Sequence, residues 1–233
     1  MIRTERAADG AYRTVTLDRP EARNALRPAD LDALEAAVVE ADEPVVLLRG
    51  AGSAFCAGAD LDAVAGLDDP EAFAAHGQRV ADAIESADAV VVAGVDGAAR
   101  GGGVELALAC DLRVATPAAT FAETGVALGL FGAWGGTARL PRVVGEGAAL
   151  DVACSARILD AEEALRFGLV SRVVDDPAAV AREVAENDSD AVAAVRRLVR
   201  AGARGEETAA AEREAFARLH AEHFPREGAC PDG

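Results

Sequence analysis

Hydrophobic and polar positions along the chain follow two alternating rhythms. Residues 11–18 (AYRTVTLD) alternate like a half-buried strand ended by Arg19-Pro20, and Val45 to Leu48 form a fully apolar second strand. Ala89 to Val95 is a short β-branched run bounded by Asp and Gly, which marks a buried strand; Arg113-Val114-Ala115 and Leu169 to Val174 read as shorter ones. Between them the period is helical. Leu31, Leu34 and Val38 share a face over about Pro28 to Glu40, and Phe73, Val80 and Ile84 do so over 71–87. Asp160-Ala161-Glu162-Glu163 starts a further helix that ends at Phe167-Gly168. Strands alternating with helices predict an α/β fold. An acidic, Pro-containing link, Asp175 to Pro177, then divides a core over 1–177 from a charged helical region over 178–233. That tail carries Val192, Val195 and Leu198, then Ala215, Phe216 and Leu219, on apolar faces, a pattern that packs on another subunit.

The most informative stretch is 88–116, DAVVVAGVDGAARGGGVELALACDLRVAT. After the buried strand and a turn at Asp96-Gly97, Gly101, Gly102 and Gly103 open a helix that is apolar all round, so it is buried. Glu105, in its first turn, is the one charged residue between Arg100 and Asp111. Two readings of Glu105 stand on this stretch. Unpaired N–H groups at a helix start favour developing negative charge on an oxygen, and a carboxyl in an apolar wall has its pKa raised toward neutrality, which suits proton transfer. Alternatively, Glu105 folds back onto the turn as the fourth residue of a capping box.

Residues 50–64 (GAGSAFCAGADLDAV) follow the second strand with Gly-x-Gly, but Phe55 stands where a dinucleotide fingerprint needs its third glycine. The chain has no lysine, which excludes a Walker P-loop. The segment reads as a second backbone cradle at Gly58 and Ala59, or as an ordinary tight turn. Residues 120–147 are glycine-rich and hold the single Trp134; such a loop lines a pocket or caps the core. His76 reads as a surface or helix-end histidine, and His220 and His223 as a surface pair rather than metal ligands, so no metal site is expected. No Gly-x-Ser-x-Gly elbow or His-Glu-x-x-His motif occurs.

Composition narrows the partners. A formal charge of −17 disfavours nucleic acid and anionic membranes. Acidic excess with arginine as the sole strong base fits a salt-rich cytoplasm, a halophilic setting, in preference to a merely GC-rich genome. Cys56, Cys110, Cys154 and Cys230 are spread singly, three of them in apolar surroundings, and read as packed free thiols. No apolar stretch is long enough to span a bilayer, and MIRTERAADG lacks the apolar core of a signal peptide; the expectation is a cytoplasmic protein.

Together these pieces resemble the crotonase superfamily, the enoyl-CoA hydratases/isomerases. The matching stretches are LDRPEARNAL (17–26), FCAGADL (55–61), VDGAARGGGVELALACDLRVA (95–115), LGLFGAWGGTARLPRVVG (128–145) and AEEALRFGLVSRVV (161–174), in the family's order. The resemblance implies a spiral of ββα repeats, then helices that make a homotrimer or homohexamer. It also implies an acyl-CoA substrate, with coenzyme A part of that substrate and no separate cofactor. Two N–H groups hold the thioester oxygen in the family; by position they fall on Ala59 and Gly102, with Ala57, Gly58, Asp60, Leu61, Gly101, Gly125 and Trp134 around the substrate. Of the two glutamates that hydratases use, one falls on Glu105. The other aligns with Gly125, leaving Glu123 as its stand-in if the segment is extended, since residues two apart then share a side. Asp62 takes the place of the family's phosphate-contacting lysine, and Arg23 is the candidate in its stead. Hydration of a trans-2-enoyl-CoA is therefore the first expectation. Another crotonase reaction (isomerase, decarboxylase or hydrolase) is the second, and a non-catalytic acyl-CoA binder the third. Some ring-forming synthases of the superfamily also carry Gly at position 125, but their Asp further along the loop is Gly132 here.

Overall fold

The computed structural model describes residues 2–202 and 206–223; Cys230 lies outside the described residues. In chain order the first elements are β1 (Ile2–Arg6), β2 (Arg13–Leu17), α1 (Pro28–Val39), β3 (Val45–Gly50), β4 (Ala54–Cys56), α2 (Leu61–Ala65) and α3 (Pro70–Ser86). Next come β5 (Val90–Val95), β6 (Ala98–Arg100), α4 (Gly102–Ala109), β7 (Leu112–Ala115), β8 (Thr120–Ala122), α5 (Gly136–Val144) and α6 (Glu146–Ser155). The last are β9 (Leu159–Asp160), α7 (Ala161–Arg166), β10 (Arg172–Val173), α8 (Pro177–Ala185), α9 (Ser189–Ala201) and α10 (Glu206–His223).

The strands form two mixed sheets, one ordered β1-β2-β3-β5-β7-β10 and the other β4-β6-β8-β9. β3, β5 and β7 run parallel in the first sheet, while β4, β6 and β8 run parallel in the second. Each turn of the chain thus lays one strand in the large sheet, steps across, and lays a shorter strand in the small one. This is the spiral of ββα repeats that the resemblance implied. β5 and the first four residues of β3 are apolar because helices cover that part of the sheet, while Arg49 of β3 is exposed. Leu48, Val91, Ala93 and Val95 are fully buried, and α8 lies against β3 and β5.

The spiral has a direct consequence for function. β4, β6 and β8 are parallel neighbours, so the segments after them emerge at one edge. Residues 57–60, 101–105 and 123–125 are thereby brought side by side, at the carboxyl ends of parallel strands where α/β sheets bind ligands.

Several elements differ from the sequence-based expectation. The span 120–147 is not one loop; it contains β8, a 3-10 turn over Gly125–Leu128, and α5. Its glycines hid the helix because four of them, Gly125, Gly132, Gly135 and Gly136, sit against other groups rather than acting as breakers. β6 is too short to show a pattern of its own. The strand expected over Leu169 to Val174 shrinks to Arg172–Val173. Cys56 and Cys110 are buried, but Cys154 is exposed on α6. Burial pushes the Cys56 thiol up to about 12, so it is an inert packing group. His76 lies within α3 rather than at its end, half-buried with Nε2 2.7 Å from Asp32 Oδ1.

The chain divides into two compact units, Met1–Glu186 and Asn187–Gly233. The second holds α9 and α10, whose Ala194 and Ala215 are buried, while Val195, Val199 and Phe216 are exposed. His223 Nε2 lies 3.4 Å from Asp188 Oδ2 in that unit. Among the described residues, no helix is long and apolar enough to cross a membrane.

Candidate active site

The first part of the site is the turn after β4. Asn24 is buried; its side-chain NH₂ donates to the carbonyls of Ala51 (2.9 Å) and Ala54 (2.7 Å), and its Oδ1 accepts from the Arg19 N–H. That clamp ties 19–26 to the start of β4. The Ala57 N–H donates to the Arg23 carbonyl at 3.0 Å, the Leu26 N–H to Gly58, and the Asp60 N–H to Leu26. Ala59 falls between these bonds, and its N–H has no acceptor among the described residues. Asp60 then caps α2, accepting from the N–H groups of Asp62 and Ala63 while Arg19 pairs with its other oxygen. The Arg19 hydrogen bond holds the Asp60 carboxyl below its ordinary pKa.

The second part is the start of α4. Gly101 adopts φ 48° and ψ −117°, a conformation closed to most side chains, and its N–H is spent on the Ala122 carbonyl. Gly102 opens the helix with its N–H unpaired among the described residues, as the first helical donors must be. The two turns touch. A Cβ on Gly58, whose φ is +88°, would lie 2.8 Å from the Arg100 carbonyl and 3.0 Å from the Gly102 nitrogen. A Cβ on Gly102 would run into the Trp134 ring.

Glu105 is 1% exposed. Its Oε1 accepts two backbone N–H groups, from Trp134 at 2.8 Å and Gly136 at 2.7 Å. The capping-box alternative is thereby excluded, because the carboxylate reaches forward to the loop before α5 and not back to its own helix start. Burial raises its pKa, opposed by the Gly136 and Trp134 N–H bonds and by the Arg139 charge. The glycines of this loop are required by the glutamate. A Cβ on Gly132 would sit 2.7 Å from Glu105 Cδ, and one on Gly136 2.8 Å from Cγ. Buried Arg139 secures the loop by donating to the Trp134 carbonyl at 3.1 Å while pairing with Asp82 and Glu85 of α3. Trp134 is both packed and pocket-lining; it is buried and meets Phe73 edge-on, with ring centroids 5.9 Å apart.

Ala57, Ala59, Leu61, Gly101, Gly102, Glu105, Gly125 and Trp134 all line one cavity of about 210 Å³. The sequence-based candidates outside it have other positions. Gly58 and Asp60 shape the first turn from behind. Arg23 is exposed in the left-handed region (φ 51°), at the rim where its carbonyl holds Ala57. Glu123 lines a neighbouring cavity of about 550 Å³ instead, which shares Gly125, Phe131 and Gly132 with the first. The condition attached to Glu123, an extended segment, is not met: β8 ends at Ala122, Thr124 has helical angles and Gly125 starts a 3-10 turn. A Cβ on Gly125 would sit 2.9 Å from the Phe131 Cα, so no larger residue fits there without moving backbone.

Residues that sequence reasoning missed are Asn24, as the clamp, and Arg139, as the loop anchor. A buried Asn at positive φ leaves no signature beyond its place before Ala-Leu, and nothing in the sequence around Arg139 separates it from the other arginines.

An unpaired pair of backbone N–H groups beside a buried glutamate, at the ends of parallel strands in a two-sheet spiral, defines the crotonase class of α/β fold. A model of the enoyl-CoA hydratase/isomerase family matches residues 9–229, and the chain belongs to that family. The crotonyl-CoA hydratase of Syntrophomonas wolfei is 42% identical over 165 residues, 68% of this chain and 64% of that protein. The short-chain-enoyl-CoA hydratase of Clostridium acetobutylicum is 39% identical over 174 residues, 72% and 67% of the two chains. The crystal structure of an enoyl-CoA hydratase from Mycobacterium smegmatis superposes with a TM-score of 0.87 at 32% identity, covering 96% of this chain and 91% of that one.

Proposed function

We propose that the protein is an enzyme that hydrates a trans-2-enoyl-CoA to the 3-hydroxyacyl-CoA. The observation that carries the reading is the single cavity lined by Ala59, Gly102 and Glu105. The thioester oxygen accepts the Ala59 and Gly102 N–H groups, and both donors are better matched to the enolate oxygen than to the neutral carbonyl. Glu105 Oε1 is committed to the Trp134 and Gly136 N–H groups, which leaves Oε2 for water. Oε2 takes a proton from water as its oxygen bonds C3, and the C2=C3 electrons move onto the thioester. The enolate then collapses, and C2 takes the proton back from Glu105. The sum is addition of one water across the double bond. Arg23, fixed beside the Ala57 turn and exposed, is the group proposed to meet a CoA phosphate.

Family relatives named as hydratases support this reading. A second reading, a different reaction of the same enolate, is favoured by one observation: Glu105 is the lone carboxylate among the described residues lining that cavity. Loss of enoyl-thioester absorbance on crotonyl-CoA in molar salt decides between them, with Glu105→Ala as control. Turnover abolished by that substitution supports hydration. No absorbance loss, with CoA-thioester binding intact by calorimetry, defeats it for this substrate.

A homotrimer or homohexamer is the assembly proposed with this activity, supported by the exposed Val195, Val199 and Phe216 on α9 and α10. A monomeric mass by analytical ultracentrifugation would refute it.

A further inference from the structure

The larger cavity has a feature the hydration chemistry does not use. Glu123 is 7% exposed, and its Oε1 has no hydrogen-bond partner among the described residues. A buried polar atom without a partner typically costs ~1–3 kcal/mol, and the residue that carries this one lines the larger cavity. The surrounding wall is mostly apolar, formed by Val126, Leu140, Ala149 and Leu150 among others. About 550 Å³ is within the range of ~300–1,000 Å³ that takes a small-molecule ligand. The cavity borders the catalytic one at Gly125, Phe131 and Gly132: two residues with no side chain and a ring that is 67% exposed.

We propose that this cavity receives the distal part of the substrate's acyl chain, and that the chain carries a hydroxyl group there which pairs with Glu123. The proposal rests on the acyl-CoA reading above and names its class of acyl group. A thioester held at Ala59 and Gly102 directs its chain past the exposed ring of Phe131 into the larger space. Burial and the nearby Glu105 push the Glu123 pKa up to about 8, so near neutrality it presents both an O–H donor and a carbonyl acceptor. A hydroxyl satisfies both. A methyl-ended chain leaves Glu123 unpaired, and a carboxylate-ended one meets the negative charges of Glu105 and Glu146.

The test uses saturated acyl-CoAs, which cannot be hydrated, so that calorimetry reads binding alone. Chains of graded length are compared with and without a terminal hydroxyl. At one length the hydroxylated chain binds wild-type protein about tenfold more tightly, the size of one hydrogen bond. That preference falls to about unity in Glu123→Leu and is partly kept in Glu123→Gln, which retains a donor and an acceptor. Leu150→Trp, a change at a half-exposed wall position, fills the cavity and removes the preference by an independent route. Equal affinities at every length in wild-type protein, a preference unaltered in both Glu123→Leu and Leu150→Trp, or tighter binding of ammonium-ended chains overturns the proposal and leaves the hydratase reading standing. If no acyl-CoA of any length binds, the acyl-CoA reading falls and takes this one with it.

Discussion

Two glutamates, eighteen residues apart in sequence, follow neighbouring strands of the same small sheet: Glu105 comes after β6 and Glu123 after β8. Both are buried and both have raised pKa values, with desolvation as the leading cause. Their settings then part. Glu105 is held by two N–H bonds, flanked by two glycines and neutralised in part by Arg139, whereas Glu123 has Oε1 without a partner. Perturbation of a pKa therefore does not by itself mark a proton-transfer group. On the proposed mechanism the proton-transfer group is the one whose oxygen faces the place where charge develops, and of the two glutamates it is Glu105 that lines the cavity of the Ala59 and Gly102 donors.

The sharpest way to break that contrast is to remove the Glu105 carboxylate. Glu105→Gln keeps the shape, and we expect crotonyl-CoA hydration to fall by ~10³-fold, within the span typical of a general acid or base. A rate within a few fold of wild type would move the chemistry elsewhere. The second contrast is in stability. The folded pKa of Glu123, about 8, lies above its ordinary 4.5, so the native state keeps a proton that the unfolded chain releases. Stability from this group is complete below about pH 4.5 and is lost as pH rises to about 8. Relative to Glu123→Gln, the wild type should therefore lose stability across that window, on the order of a few kcal/mol. Denaturant titrations of both proteins at pH 5 and pH 8 would expose a flat difference if Glu123 were not buried as described.

Gly132→Ala tests how tightly the first glutamate is held. Its Cβ would press on the Glu105 carboxylate, and a displacement near 1 Å is expected to lower kcat by ~10²-fold while the fold survives. Steady-state kinetics together with an unchanged melting curve would support this. The smallest effect is expected from Arg139→Gln. It removes the anchor of the Trp134 carbonyl and one charge that lowers the Glu105 pKa. The acid limb of the kcat/KM profile should move to higher pH, and stability should drop by ~1–2 kcal/mol, less than for a fully buried pair because Asp82 is largely exposed. An unmoved limb would show that Arg139 only packs.

Much of this was legible along the chain because it is local. A β-branched run, a turn and a glycine triplet place strand, cradle and helix without reference to anything distant, and an apolar helix with one carboxyl announces Glu105. The spiral order and the pairing of Ala59 with Gly102 came from resemblance over several ordered motifs, since neither cradle alone exceeds an ordinary tight turn. The span 120–147 was misread because its glycines looked like flexibility. Gly132 and Gly136 are there because Glu105 occupies the space a Cβ would need, and Gly125 because Phe131 does.

By itself the sequence determined the α/β class and the buried helix with its solitary glutamate, both set by short-range sterics and hydrophobic period. Which cavity each glutamate lines was decided only in three dimensions. The direction of a side chain just past a strand depends on whether that strand continues, and β8 ends at Ala122 where the chain turns and Gly125 lies against residues 130–131. That is a tertiary contact, and no periodicity along the chain encodes it.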